Sequence, residues 1–232
     1  MTLRKKITGL VLLVVLALAG WGWLDYRSWR ALGPGGVPYN LAGWAQVTWM
    51  RLGAHDPFDM SLFAGQIGTA HDMAVLGRLP TRAGSRPHVD PHPIPHRQTD
   101  QHGDEQARVA LKALFDREVA GHPDLLHYQK SHFEQRNDAI WLREPQEGNP
   151  AARAQGEIAH IHPSDGSMHM TLGPSDAKNV IDARWGELHT LAGANDRLPA
   201  TYVMLYSPRD DDERAVIEQI LRAAVRYAAG DR

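Results

Sequence analysis

At 232 residues the chain is long enough to bury one proper hydrophobic core, which predicts a single domain with appendages. Its 25 Lys and Arg against 27 Asp and Glu leave a net charge of −2, with no basic face to suit nucleic acid and no acidic tail. The absence of cysteine excludes disulfides, thiolate catalysis and Cys-ligated zinc or iron–sulfur clusters, while 13 His point to imidazole chemistry.

Arg4, Lys5 and Lys6 precede an uncharged run from Ile7 to Leu24. At about 1.5 Å per residue, a helix of that length just crosses a hydrocarbon core of about 30 Å. Two readings compete. Ala17-Leu18-Ala19 before Gly20 resembles a signal-peptidase site, whose cleavage would release a secreted protein. Trp21, Trp23, Leu24, Tyr26 and Trp29 instead continue the apolar character as an interfacial belt does, and favour an uncleaved single-pass anchor. The basic flank then keeps the N-terminus cytoplasmic and places the domain on the non-cytoplasmic side.

Gly33-Pro34-Gly35-Gly36 separates the anchor from a second apolar stretch, Leu41 to Leu52, which is too short to span and contains Gln46, Thr48 and Arg51. It either lies in the membrane interface or packs on the domain as an ordinary helix. The Pro density of residues 77–100, including Pro91-His92-Pro93-Ile94-Pro95-His96, excludes helix and central strand and predicts an extended segment over the surface. Its histidines are expected to be solvated, with His92 the one favoured for function. Asp104 to Val119 has helical spacing and is ended by Gly121 and Pro123. Leu125 to Phe133 and Ala139 to Leu142 read as strands around a turn at Arg136-Asn137-Asp138, followed by a polar loop from Pro145 to Gln155.

Glu157 to Gly173 is a predicted β-hairpin, two apolar-rich runs around the turn formers Pro163-Ser164-Asp165-Gly166. Ser175 is expected to cap a helix reaching about Arg184, Trp185 to Gly193 to form an irregular loop, and Thr201 to Tyr206 a strand. Asp210, Asp211, Asp212 and Glu213 open a final helix with an apolar stripe, and are a solvated, dipole-complementing cap rather than a metal site. The order predicts an α+β fold: a mainly antiparallel sheet with helices packed on it, preceded by an N-terminal transmembrane helix. Residues 1–30 are the anchor, 31–100 a membrane-proximal and extended region, and 101–232 the α+β domain. No internal repeat, Gly-rich phosphate loop, G-x-S-x-G or dinucleotide fingerprint is present.

If residues 163–166 form the loop, His162 faces Ser167 and His160 faces His169, so His160, His162, His169 and Thr171 share one side of the sheet. Ala159, Ile161, Met168, Met170 and Leu172 then face the core. Three imidazoles this close would repel if protonated and need partners if buried neutral. The spacing leaves three readings open. His160, His162 and His169 suit a divalent metal, completed by Glu157, His189 or His92. Without metal, one His serves as general base and another clamps an anionic, enol-bearing substrate. The third reading is a sheet face that merely carries His.

The blocks E-I-A-H-I-H, H-M-T-L, W-G-E-L-H-T-L-A-G and T-Y-V-M-L-Y-S-P-R-D-D-D-E-R, with the closing helix, run from Glu157 to Tyr227 and resemble the luciferase domain of the fungal bioluminescence enzymes. A weaker likeness extends upstream through Tyr26, Gly33-Pro34, Arg86-Pro87 with His92 and Gln98, and the strand pair from Phe133 to Leu142. The resemblance implies membrane-associated oxidation of 3-hydroxyhispidin, an enol-bearing 2-pyrone, by O2. A peroxide loses carbon dioxide and leaves an excited caffeylpyruvate-type acid, with no cofactor beyond O2. It further implies His160, His162, His169 and His189 as catalytic, with Glu157, Trp185 and His92 around the substrate. A divalent metal on His160, His162 and His169 stays open beside that expectation. The turn at 163–168 and Thr190 depart from the family pattern, so the expected protein is a divergent or non-luminous homologue. Its partners are a small-molecule substrate and the lipid bilayer. The rival is a membrane-tethered module that binds metal or ligand without turnover.

Overall fold

The computed structural model describes residues 3–70, 72–145, 154–194 and 198–230, so most of the expected polar loop before the hairpin lies outside the described residues. Among them are α1 (Leu3–Ala31), α2 (Leu41–Met50), a short α3 (Ser61–Ala64) and α4 (Glu105–Gly121). Then follow β1 (Leu126–Lys130), β2 (Asp138–Leu142), β3 (Glu157–Ile161), β4 (Met168–Thr171), α5 (Pro174–Asp182), β5 (Gly186–Leu188), β6 (Tyr202–Leu205) and α6 (Asp211–Ala229). The six strands form one antiparallel sheet in the order β1-β2-β3-β4-β6-β5. The fold is α+β, as the element order predicts.

One face of the sheet carries the core. Met168, Met170, Val203 and Leu205 meet Leu111, Leu114 and Phe115 of α4, Val180 and Ile181 of α5, and Ile217, Ile220 and Leu221 of α6. Each such side chain, fully buried, contributes about 1.5–3 kcal/mol. Local chemistry sets the helix starts: Asp104 accepts from Ala107 N at 2.8 Å, and Asp210 from Glu213 N at 2.8 Å. For α5 the expectation is corrected. Gly173, not Ser175, is the capping position, because Pro174 suits the first helical turn, where no backbone donor is needed. Ser175 instead gives its amide and hydroxyl to Asp72. A second correction concerns the acidic run: Glu213 is buried, with Arg82 Nη2 at 3.1 Å and Arg209 beside it.

The loop expected from Trp185 contains an edge strand. Gly186 permits it, since a Cβ there would lie 2.3 Å from Met204 O of the neighbouring strand. A bulge also matters for the site. Ile140 pairs with Ala159 but Trp141 pairs with Glu157, so β3 carries one extra residue at Ile158.

The opposite face of the sheet is covered by the extended segment that precedes α4. Its only ladder-type contact among the described residues is a Val89–Gln98 bridge. It is held down by Arg82 on Glu213, Arg86 on the Ile181 and Gly186 carbonyls, and Gln98 on Ser207 and Asp165. His92 and His96 are therefore buried, not solvated as the proline density suggested.

α1 is 29 residues long, with mean hydropathy 2.2 over an 18-residue window that buries none of its residues in the protein. It is long and apolar enough to cross a membrane. Only Trp29 at its end is buried, in a small cluster with Val37 of the connecting loop, Val47 of α2 and Ile94, whose carbonyl accepts from Trp29 Nε1 at 2.8 Å. Trp44 and Arg51 both bond Asp25 of α1. α2 thus packs on the end of α1 while Leu41, Trp49 and Leu52 stay exposed.

Candidate functional site

The hairpin brings His160 opposite His169, and His162 N bonds Ser167 O at 2.8 Å just beyond the ladder. All three rings are buried beneath the extended segment. Their nitrogens converge: His162 Nε2 is 3.0 Å from His169 Nδ1 and 3.2 Å from His160 Nε2, and the latter two are 3.4 Å apart.

Behind each ring stands a polar partner. His160 Nδ1 is 2.6 Å from Glu157 Oε1. That carboxylate also accepts from Ser131 Oγ at 3.0 Å and from His132 N at 2.7 Å. Three residues apart, Glu157 and His160 would lie on opposite faces of a regular strand, and the extra residue in β3 turns both to the same side. His162 Nδ1 is 2.8 Å from Ser167 Oγ, which donates to Asp165. His169 Nε2 is 3.2 Å from His96 Nδ1, and His96 Nε2 faces Glu187 Oε1 at 3.4 Å. Tyr206 O–H donates to the other oxygen of Glu187 at 2.8 Å.

His189 packs edge-on against His96, with ring centroids 4.9 Å apart. Its Nδ1 accepts from Leu191 N at 3.1 Å, and it also bonds the Pro93 backbone. Burial pushes the imidazoles of His162, His169 and His189 well below the usual range. Nearby positive charge adds to this, Arg97 and His160 at His162 and the neighbouring imidazoles at the other two. These rings are neutral at physiological pH.

A cavity of about 190 Å³ opens onto this cluster, lined by Met50, residues 93–96, Phe133, Glu134 and Tyr202 together with His160, His169 and His189. Tyr202 stacks on His169 with centroids 4.8 Å apart and planes 8° from parallel. Its hydroxyl is buried with no hydrogen-bond partner among the described residues. Burial first, then Glu157 and Glu134, push its pKa far up, so it is a protonated donor free for a ligand. A wider groove of about 500 Å³ runs past the other flank of the hairpin turn, and His162 is its single histidine.

The structure therefore groups His160, His162, His169 and His189 with Glu157 behind them. It does not bring in His92 or Trp185. His92 lies 2.5 Å from Asp90 Oδ1 and 3.2 Å from Asp25 Oδ2, tying the extended segment to α1. Trp185 sits in the core cluster and donates to Pro80 O at 2.7 Å, because the turn between α5 and β5 places it on the helix-covered face. Sequence reasoning missed His96, Glu134 and Tyr202. His96 stands in the same Pro-rich run as His92, and only where that run lands on the sheet separates the two. Nothing in the local pattern around Glu134 marks it, and Tyr202 reads simply as a strand residue.

The family model described as Luciferase domain matches residues 155–224. Curated luciferases of Armillaria gallica and Armillaria ostoyae are each 31% identical over 220 residues, covering 89% of this chain and 81% of theirs. The luciferase of Neonothopanus nambi is 29% identical over 219 residues with the same coverage. No solved structure matches the chain.

Proposed function

Because the chain belongs to the fungal luciferase family, we propose that it is a membrane-anchored, luciferase-like enzyme that oxidises a small enol with O2, a 3-hydroxy-2-pyrone of the 3-hydroxyhispidin type being the substrate to try first. The observation that carries this reading is a cavity opening onto the clustered nitrogen face of His160, His169 and His189, beside the free hydroxyl of Tyr202. An enol entering the cavity loses its proton to that nitrogen face, and the resulting enolate is electron-rich enough to react with O2. Glu157 fixes the His160 ring and stabilises positive charge on it. Tyr202 and His189 position the ring of the substrate, and the Tyr202 O–H stabilises charge developing on the peroxide oxygen.

α1 serves as the anchor in this reading, with its aromatic end at the interface. Met50 lines the cavity while Trp49 and Leu52 beside it are exposed, so a poorly soluble substrate reaches the pocket from the membrane surface. The test is oxygen uptake, with light recorded in parallel, by detergent-solubilised full chain given 3-hydroxyhispidin and simpler hydroxypyrones. Uptake by the wild type that His160→Ala abolishes is the expected result. A folded wild-type protein that consumes no oxygen with any of them refutes the proposal.

A further inference from the structure

We propose that His160 Nε2, His162 Nε2 and His169 Nδ1 together bind one divalent first-row transition-metal ion whose remaining coordination positions face the cavity. A carboxylate only accepts, so Glu157 requires the proton of His160 on Nδ1. Ser167 gives its single proton to Asp165, so its oxygen must receive the Nδ1 proton of His162. His96 Nε2 makes no hydrogen bond among the described residues, but Glu187 Oε1 lies 3.4 Å from it; the negative charge there favours the His96 proton on Nε2 and leaves Nδ1 as the acceptor for a proton on His169 Nε2. A neutral imidazole has one N–H, and in each of the three rings it points away from the centre. The three inward nitrogens are then all acceptors, 3.0, 3.2 and 3.4 Å apart, with no donor between them. A proton there would satisfy one pair of them. A metal ion satisfies all three.

The distances fit. For metal–nitrogen bonds of about 2.05 Å, a point equidistant from three nitrogens at these separations lies about 0.9 Å off their plane, as in a tetrahedral or facial site. Charge fits as well. Glu134, Glu157, Asp165 and Glu187 are all buried around the cluster, against one buried guanidinium, Arg97, which pairs with Glu134 at 2.8 Å and lies 3.9 Å from Asp165. Each ligand also has the outer partner that metal-bound histidines ordinarily have: Glu157, Ser167 with Asp165, and His96 with Glu187. The other close trio, His96, His169 and His189, lacks this logic. His96 and His169 already form a close pair, and His189 Nδ1 accepts from Leu191 N while its ring also bonds the Pro93 backbone.

Three neutral imidazoles suit zinc, iron, copper or nickel in their divalent states rather than magnesium or calcium. His160 and His169 line the cavity, so the vacant positions meet the substrate. A 3-hydroxy-2-pyrone offers two adjacent oxygens to such an ion. Glu134, with Oε1 3.8 Å from His162 Nε2, is then the group left to take the enol proton. The inference deepens the reading of the same site but is tested without turnover.

The full chain, purified in detergent without a polyhistidine tag or chelator, is analysed for metals by mass spectrometry. It is then stripped and titrated with Co2+, read by visible absorption and melting temperature. About one metal per chain, a Co2+ ligand-field spectrum and a raised melting temperature are expected, with His122→Ala behaving as wild type. His162→Ala should lose the site. Should that variant not fold, Ser167→Ala keeps the ring and should weaken Co2+ binding by about 10–100-fold. A folded wild-type protein with no stoichiometric metal and no Co2+ spectrum overturns the proposal, as does equal binding by His162→Ala. Metal binding without oxygen uptake would overturn the oxygenase reading alone.

Discussion

Glu157→Gln is the most informative single substitution, because it keeps shape and changes only charge and donor pattern. The carboxylate is buried and receives three donors: Ser131 Oγ, His132 N and His160 Nδ1. A glutamine has one acceptor oxygen. Placing its NH2 at the Oε2 position sets two N–H donors against each other where His132 N now lies 2.7 Å away. Placing it at the Oε1 position removes the clash only if His160 moves its proton from Nδ1 to Nε2. That proton then enters the nitrogen triangle, 3.2 Å from His162 Nε2. The first arrangement leaves a buried donor unmatched and loses a charge-assisted bond, a destabilisation of about 1.5–3 kcal/mol. The second costs less in stability and more in function, since the wrong tautomer blocks the inward nitrogen; a loss of about 10–100-fold in turnover or metal affinity is expected. Urea unfolding of the solubilised chain, with oxygen uptake and Co2+ binding on the same sample, reads both. A variant within about 0.5 kcal/mol of wild type, with unchanged turnover and binding, would refute the argument that Glu157 sets the tautomer of His160.

Three further outcomes are expected. Tyr202→Phe removes a buried hydroxyl that bonds nothing among the described residues, so unfolding free energy should change by less than about 1 kcal/mol while turnover falls; a large stability loss would mean the hydroxyl has a structural partner. Burial raises the Asp72 carboxyl, but bonds from Gly68 N and from the Ser175 hydroxyl and amide outweigh it and hold the group below the usual carboxylate range. Its stabilisation is thus fully present above an unfolded pKa of about 3.9 and lost as pH falls through the lower folded value. Asp72→Asn should cost about 1–3 kcal/mol near neutrality and flatten the acid limb of melting temperature against pH, and an unchanged acid limb would count against this assignment. If α1 is an uncleaved anchor, the full chain stays in the membrane fraction through alkaline carbonate washing, whereas recovery of a soluble chain beginning at Gly20 would establish cleavage.

Much of the fold was legible in the sequence because its signals are local. Turn chemistry at residues 163–166 sets the hairpin register, and the register sets His160 against His169. Apolar spacing and a capping carboxylate place α4 within two residues of the expected ends, and Asp210 opens α6 where the acidic run predicts. Charge-free length marks α1. The site was legible only in part. Period-two alternation puts Glu157 and His160 on opposite faces, and only the pairing with β2 reveals the extra residue that unites them.

What the sequence alone determined is the α+β class, the hairpin and the clustering of its histidines, all consequences of backbone geometry over a few residues. What the tertiary structure decided is which distant groups complete the cluster. Proline sets the shape of the 77–100 segment but not where it lands, so nothing local distinguishes His96, buried against His169, from His92, tied to Asp25. Trp185 went to the core rather than to the pocket for the same reason: its neighbours in space, Pro80 among them, are about a hundred residues away in sequence. The protonation pattern of the three inward nitrogens is likewise set by Glu157, Ser167 with Asp165, and His96 with Glu187, which converge only once the extended segment covers the sheet.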